Sequence, residues 1–239
     1  KDGHKLEVKD VLVGEVWLGS GQSNMAMNVQ SSNNFDAEKA AANYPLIRHY
    51  QEASTHAEQP QAEGKGSWKA CTPDNVGGFS AVLYFFGREI HKEVGVPVGL
   101  VNTSVGGTPI ESWVSAETQS SDPETKAIFD SQMKSHQNFD PVKAAAAYEK
   151  QVAAWKIAVE KAKAAKTELP RKPYDPIAIR KFKGGPAGLY NGKVANLAPY
   201  TLRGMLWYQG EGNAGNAGLY DKQLSQLVTS WRTLWSDEV

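Results

Sequence analysis

The chain of 239 residues has a single cysteine, Cys71. That is too few for an internal disulfide framework or a thiolate metal cluster, both of which need several sulfurs. It also lacks net charge, since 26 Lys and Arg balance 26 Asp and Glu. No overall field therefore draws it to nucleic acid or to an anionic membrane. Its five histidines, His4, His49, His56, His91 and His136, form no H-x-x-x-H pair, and no metal or organic cofactor is expected. No apolar run approaches the roughly 18 residues of a membrane-spanning helix. No basic-then-apolar leader opens the chain, so a mature chain or a piece of one is expected.

What is present is an alternation of short β-branched or apolar runs with helical patterns, the signature of a parallel sheet covered by helices. Residues 16–19, 46–50, 98–103 and 205–208 read as buried strands. Val82, Leu83, Phe85, Phe86 and Ile90 give 80–94 an amphipathic helical pattern closed by Gly95 and Pro97, and Leu224, Leu227, Val228 and Trp231 do the same for 220–235. These features predict one α/β domain over 1–239, doubly wound in character. Residues 118–185 depart from the rhythm and read as a helical insertion rich in Ala and Lys. Within it Val142, Ala145, Tyr148, Val152, Trp155, Val159 and Ala162 recur at helical steps. A lid carrying Trp155 and a helix packed on the core flank are both compatible with that stripe.

Three segments carry chemistry. In GEVWLGSGQSNMAMN, residues 14–28, a strand runs into glycines, serines and an asparagine. A phosphate-binding loop would need a third glycine where Asn24 stands, and no G-K-[ST] motif is present. The alternative is a strand-to-helix elbow presenting a nucleophilic serine. Ser20 falls at the strand end and Ser23 at the helix start, where capping is the ordinary role of serine. LVNTSVGGTPIESW, residues 100–113, ends a second strand in paired glycines that free backbone N–H groups at the edge where open α/β sheets bind ligands. MLWYQGEGNAG, residues 205–215, ends a third strand in Gln209, Glu211 and Asn213. Three such ends on one edge suit a serine surrounded by oxyanion donors.

Together these segments resemble the SGNH (GDSL-like) hydrolase superfamily, and within it the sialate O-acetylesterase and related carbohydrate acetylesterase family. The resemblance runs through DVLVGEVWLGSGQSNM, FSAVLYFFGREIHKEVGVPVGLVNTSVGGTPIESW and GLYNGKVANLAPYTLRGMLWYQGEGNA, in that order. It implies a three-layer αβα fold and hydrolysis of acetyl esters on sugars, with an acetylated carbohydrate as partner and a secreted or periplasmic location. Neither nucleic acid nor a membrane is implied as a partner. Ser23 matches the family nucleophile. Gly106, or Gly107 beside it, matches a backbone oxyanion donor, and Asn213 a side-chain donor. Gln22, Asn24 and Gln209 are candidates for substrate contact or for shaping the turns. Glu211 either orients an incoming histidine or accepts hydrogen bonds within its own loop.

Two departures from the family pattern are small: Gly19 replaces a cysteine and Gly212 a frequent serine. A third is larger. Relatives complete the unit with an Asp-x-x-His block, and no D-x-x-H occurs in this sequence. The resemblance thus implies a fragment cut at both ends, with the catalytic histidine on a missing C-terminal segment. A non-catalytic carbohydrate-binding relative is the alternative.

Overall fold

Residues 7–198 and 200–235 are described by the structure, a computed structural model. Five strands, β1 (Glu15–Gly21), β2 (Tyr44–Glu52), β3 (Gly66–Cys71), β4 (Val98–Asn102) and β5 (Gly204–Tyr208), form one sheet in the order β3-β2-β4-β1-β5. β2, β4, β1 and β5 run parallel, as the four apolar runs predict, in a register that sets Gly19 opposite both Asn102 and Leu206. β3 is an addition to that reading: it pairs antiparallel with β2 and makes the sheet mixed. Its sequence, GSWKAC, is exposed over its first four residues. An edge strand wet on both faces needs no apolar run, and so it sends no periodic signal.

The chain divides into two compact units. One gathers the described residues of Lys1–Ser54, Glu63–Pro109 and Leu197–Gly215; the other holds Thr55–Ala62, Ile110–Asn196 and the described residues of Asn216–Val239. The first contains the whole sheet with helices α1 (Ser23–Ala26), α2 (Phe35–Ala41) and α3 (Ala81–Val94). α3 starts where Ser80 caps the Leu83 N–H and stops at Gly95, whose φ of 69° is open to glycine. It packs on the sheet through Phe86, edge-on to Trp17 at 4.9 Å, and through Leu83. A Cβ at Gly19 would lie 2.6 Å from the Leu83 side chain, so the two pack closely. Ile47, Leu83, Tyr84 and Leu100 are sealed in this core.

The second unit is helical: α4 (Ala116–Ser120), α5 (Pro123–Gln137), α6 (Pro141–Ala165), α7 (Pro176–Lys183) and α8 (Tyr220–Trp235). α5, α6 and α7 begin alike. Asp122, Asp140 and Asp175 each accept two backbone N–H bonds from the first turn, and each is followed by proline. The carboxylate satisfies orphan donors while proline, lacking an N–H, leaves none unmet. On α6 the apolar stripe forms as predicted except at Val142, which is exposed. Trp155 donates its Nε1–H to the Pro170 carbonyl at 2.8 Å.

α8 corrects the sequence reading, because Val228 faces solvent while Gln223, Gln226 and Ser230 are buried beside Leu227 and Trp231. Gln223 donates to Glu111 Oε1 (2.9 Å), and Gln226 donates to Thr118 O (3.1 Å) and Thr125 Oγ1 (2.9 Å). Buried amides with such bonds are tolerated where bare ones are costly.

Candidate active site

The site is built at the C-terminal ends of β1, β4 and β5, within the first unit. β1 ends in Gly21, whose φ of 129° only glycine adopts readily. A Cβ there would lie 2.1 Å from the Tyr208 carbonyl oxygen, and the next residue, Gln22, donates its N–H to that same oxygen at 3.0 Å. The chain therefore turns tightly against β5 and enters α1 at Ser23.

This turn separates the two candidate serines. Ser20 lies within β1 and is completely buried, out of reach of any substrate. Ser23 is exposed. It occupies the first helical position and Gln22 the cap, so Ser23 does not act as a side-chain cap. Its backbone N–H, in the first helical turn, has no carbonyl partner within the helix.

The loop after β4 runs beside this serine. Thr103 N–H bonds Gly19 O and Val105 N–H bonds Gly21 O, each at 3.0 Å, so the parallel ladder carries the loop to the elbow. A methyl group on Gly106 would stand 3.7 Å from Ser23 Cβ, in ordinary contact. Gly107 takes the left-handed turn after it, with φ 66°. Thr108, fully buried and missed by the sequence reading, fixes the loop by donating its hydroxyl to the Val105 carbonyl at 2.8 Å. A threonine directly after paired glycines was the available signal.

The loop after β5 is tied to the other two by amides. Gln209 Nε2 donates to Thr108 O at 3.1 Å and to Asn213 Oδ1 at 2.8 Å. Gln22, buried, accepts the Gly212 N–H on its Oε1 at 3.0 Å. Asn24 donates to Glu211 Oε1 at 2.6 Å. Asn213 is buried, with its N–H on the Gly210 carbonyl. Gly212 has no room for a side chain: a Cβ would lie 2.6 Å from Thr108 O. The structure thus brings Ser23, Gly106 and the amide-bearing residues together. Gln22, Asn24 and Gln209 have the bonds of turn-shaping residues, and Glu211 accepts a bond across to the elbow.

The histidines are placed elsewhere. His49 is buried, accepts the Ser80 N–H at 3.3 Å and stacks on Phe79 at 4.6 Å. Burial, helped by the charge of Lys69, pushes it down to about 4, so it is neutral at pH 7. His91 Nδ1 is bonded with Val96 O at 2.8 Å. His56 and His136 belong to the second unit, and His4 lies outside the described residues. Trp113 and Tyr190 are buried, Trp207 is half-buried and Tyr208 is exposed. Among the described residues no group of three or more His, Cys, Asp or Glu side chains is arranged to hold a metal ion.

Comparison with known proteins bears on family and fold. The family model described as carbohydrate esterase, sialic acid-specific acetylesterase, matches residues 13–162. The chain is 34% identical over 240 residues to a sialate O-acetylesterase of Rattus norvegicus, and 31% identical over 243 residues to that of Homo sapiens. Each match takes in 95% of this chain but only 40% and 37% of the respective relative. The crystal structure of a carbohydrate acetylesterase from Xanthomonas citri is similar with a TM-score of 0.69 and 31% identity, over 99% of this chain and 42% of that one. The α/β fold is therefore that of the SGNH hydrolases. With more than half its length under the family model, the chain belongs to the carbohydrate esterase family of sialic acid-specific acetylesterases.

Proposed function

We propose that the chain carries the nucleophile and oxyanion donors of a carbohydrate O-acetylesterase working through an acetyl-enzyme. The observation that carries this reading is the pairing of an exposed Ser23 with the Gly106 backbone, a methyl on which would lie 3.7 Å from Ser23 Cβ. In the first step the Ser23 oxygen attacks the acetyl carbonyl carbon and its proton passes to a general base. The carbonyl electron pair moves onto oxygen, where the N–H groups of Ser23 and Gly106 and the Asn213 amide donate to it. Because Asn213 Oδ1 accepts from Gln209, Nδ2 is the donor edge of that amide. Collapse expels the sugar hydroxyl, which takes its proton from the base. Water, deprotonated by the same base, then releases acetate and restores Ser23.

A serine hydroxyl is a weak nucleophile without such a base. We assign the base to a histidine with an acidic partner in the remainder of a longer protein, in keeping with the 37–40% of the relatives' length that this chain spans. The bond from Asn24 to Glu211 supports a role for this carboxylate in orienting that histidine. The substrate is an O-acetylated sugar, and a secreted or periplasmic location suits it. The reading is tested by treating the complete protein with a fluorophosphonate and mapping the adduct. Modification of Ser23 is expected; an adduct on another serine, or none, overturns it. Acetate release from O-acetylated sialic acid against acetylxylan then selects the sugar.

A further inference from the structure

The esterase reading leaves the second unit without a role, yet that unit holds a concave site of its own. Residues 55–62 are strapped down by Ala57 N–H on Gly188 O, Gln61 N–H on Asn191 O, and Asn191 Nδ2 on the carbonyls of Ala57 and Glu58. The strap lays His56 over a turn of bare backbone. A Cβ at Gly184, where φ is 66°, would fall 2.3 Å from His56 Cγ, and one at Gly185 would fall 2.9 Å from His136 Cγ. Two imidazoles far apart in sequence thus share one glycine turn. His56 Nδ1 is buried with no hydrogen-bond partner. Arg180 on α7 is held beside them by donating Nη2 to the His136 carbonyl and by lying 4.6 Å from the Phe139 ring centroid.

Two cavities open on this group. One, of about 260 Å³, is lined by His56, Glu58, Met133, His136 and Pro186. The other, of about 440 Å³, is lined by His56, Glu58, His136, Phe139, Arg180 and Lys181. Burial holds His136 below the usual histidine range; Arg180 and His56 add to this, and Glu58 opposes it. Among its Lys, Arg and carboxylate side chains the lining carries Arg180 and Lys181 against Glu58, one net positive charge, which suits an anion better than a cation. Guanidinium matches the planar fork of a carboxylate, and a group held on a backbone carbonyl and an aromatic face loses little freedom on binding. We propose that His56, His136 and Arg180 form a binding site for the carboxylate of a small organic acid. Its lining residues include none of those assigned to the Ser23 site.

The test uses the whole chain and the side-chain NMR signals of its histidines, near pH 6.5, about the ordinary histidine midpoint. D-glucuronate is titrated against D-glucose, which lacks the carboxylate, and against inorganic phosphate. Glucuronate is expected to shift the His56 and His136 signals saturably and to raise the His136 midpoint, while glucose leaves both unmoved. Arg180→Met is expected to weaken glucuronate binding by about tenfold or more, as removal of one partner of a charge pair does. Should Arg180→Met disturb the fold, seen as a change in the His49 signal, His56→Asn is expected to weaken binding in its place. The proposal falls if glucose acts as glucuronate does, if phosphate binds more tightly than glucuronate, or if the folded variant binds glucuronate as well as the parent.

Discussion

The loop cluster at Ser23 and the helical run from α5 to α7 are built by opposite means. Around Ser23 the bonds span the sequence: Gln22 reaches Gly212, Asn24 reaches Glu211 and Gln209 reaches Thr108. In α5, α6 and α7 the bonds that define the starts are local, each donated to an Asp carboxylate by N–H groups two and three residues on. A site assembled from distant segments is specific in geometry and sensitive to any one strap. A local cap favours a helix start at that point, and losing the cap costs it a bounded, local amount.

The comparison can be broken most sharply at Ser23. In the complete protein Ser23→Ala is expected to reduce acetate release by roughly 10⁴–10⁶-fold, as loss of a serine nucleophile does, with the thermal midpoint little changed because Ser23 is exposed. Activity surviving at the parent level would remove Ser23 from the chemistry. Next is Asn213→Ala, expected to lower kcat by ~10²–10³-fold as loss of one oxyanion donor does, with KM less affected. A change confined to KM would make Asn213 a substrate-binding residue.

The third prediction is pH dependence in the sheet unit. His49 is held neutral down to about 4, while in the unfolded chain it protonates near 6.5. Above 6.5 both states are neutral and there is no penalty. As pH falls from 6.5 to 4 the unfolded state binds the proton first, and stability drops by roughly 3 kcal/mol over about 2.5 pH units. Urea unfolding across that window should lose most of the slope assigned to His49 in His49→Phe. The smallest effect is expected in the helical run, where Asp140→Ala removes the cap bonds to Val142 and Lys143. It should cost ~1 kcal/mol and leave acetate release untouched; a large loss of activity would show that α6 serves the site directly.

Much of the sheet was legible because apolar runs mark parallel strands, and all four such runs form β1, β2, β4 and β5; the expectation that each is buried fails for β5, an edge strand with no buried residue. The exposed edge strand β3 escaped for the same reason in reverse. α8 was legible as a helix but not in its buried face, since Gln223 and Gln226 are hidden only because Glu111, Thr118 and Thr125 are there to receive them. At the site, the motifs named Ser23, Gly106 and Asn213, yet position alone left Ser20 open. Burial of Ser20 and exposure of Ser23 separate them.

By itself the sequence determined the features that short-range chemistry dictates: apolar strands, the glycine that lets β1 turn, the Asp-Pro helix starts and a set of motifs specific enough to name a family. The tertiary structure decided which hydroxyl meets solvent and which amides are tied off in holding loops together. It also brought His56, His136 and Arg180 around one pair of glycines. Those outcomes rest on contacts between residues tens to nearly two hundred positions apart, and no local pattern records which distant partner a side chain will find.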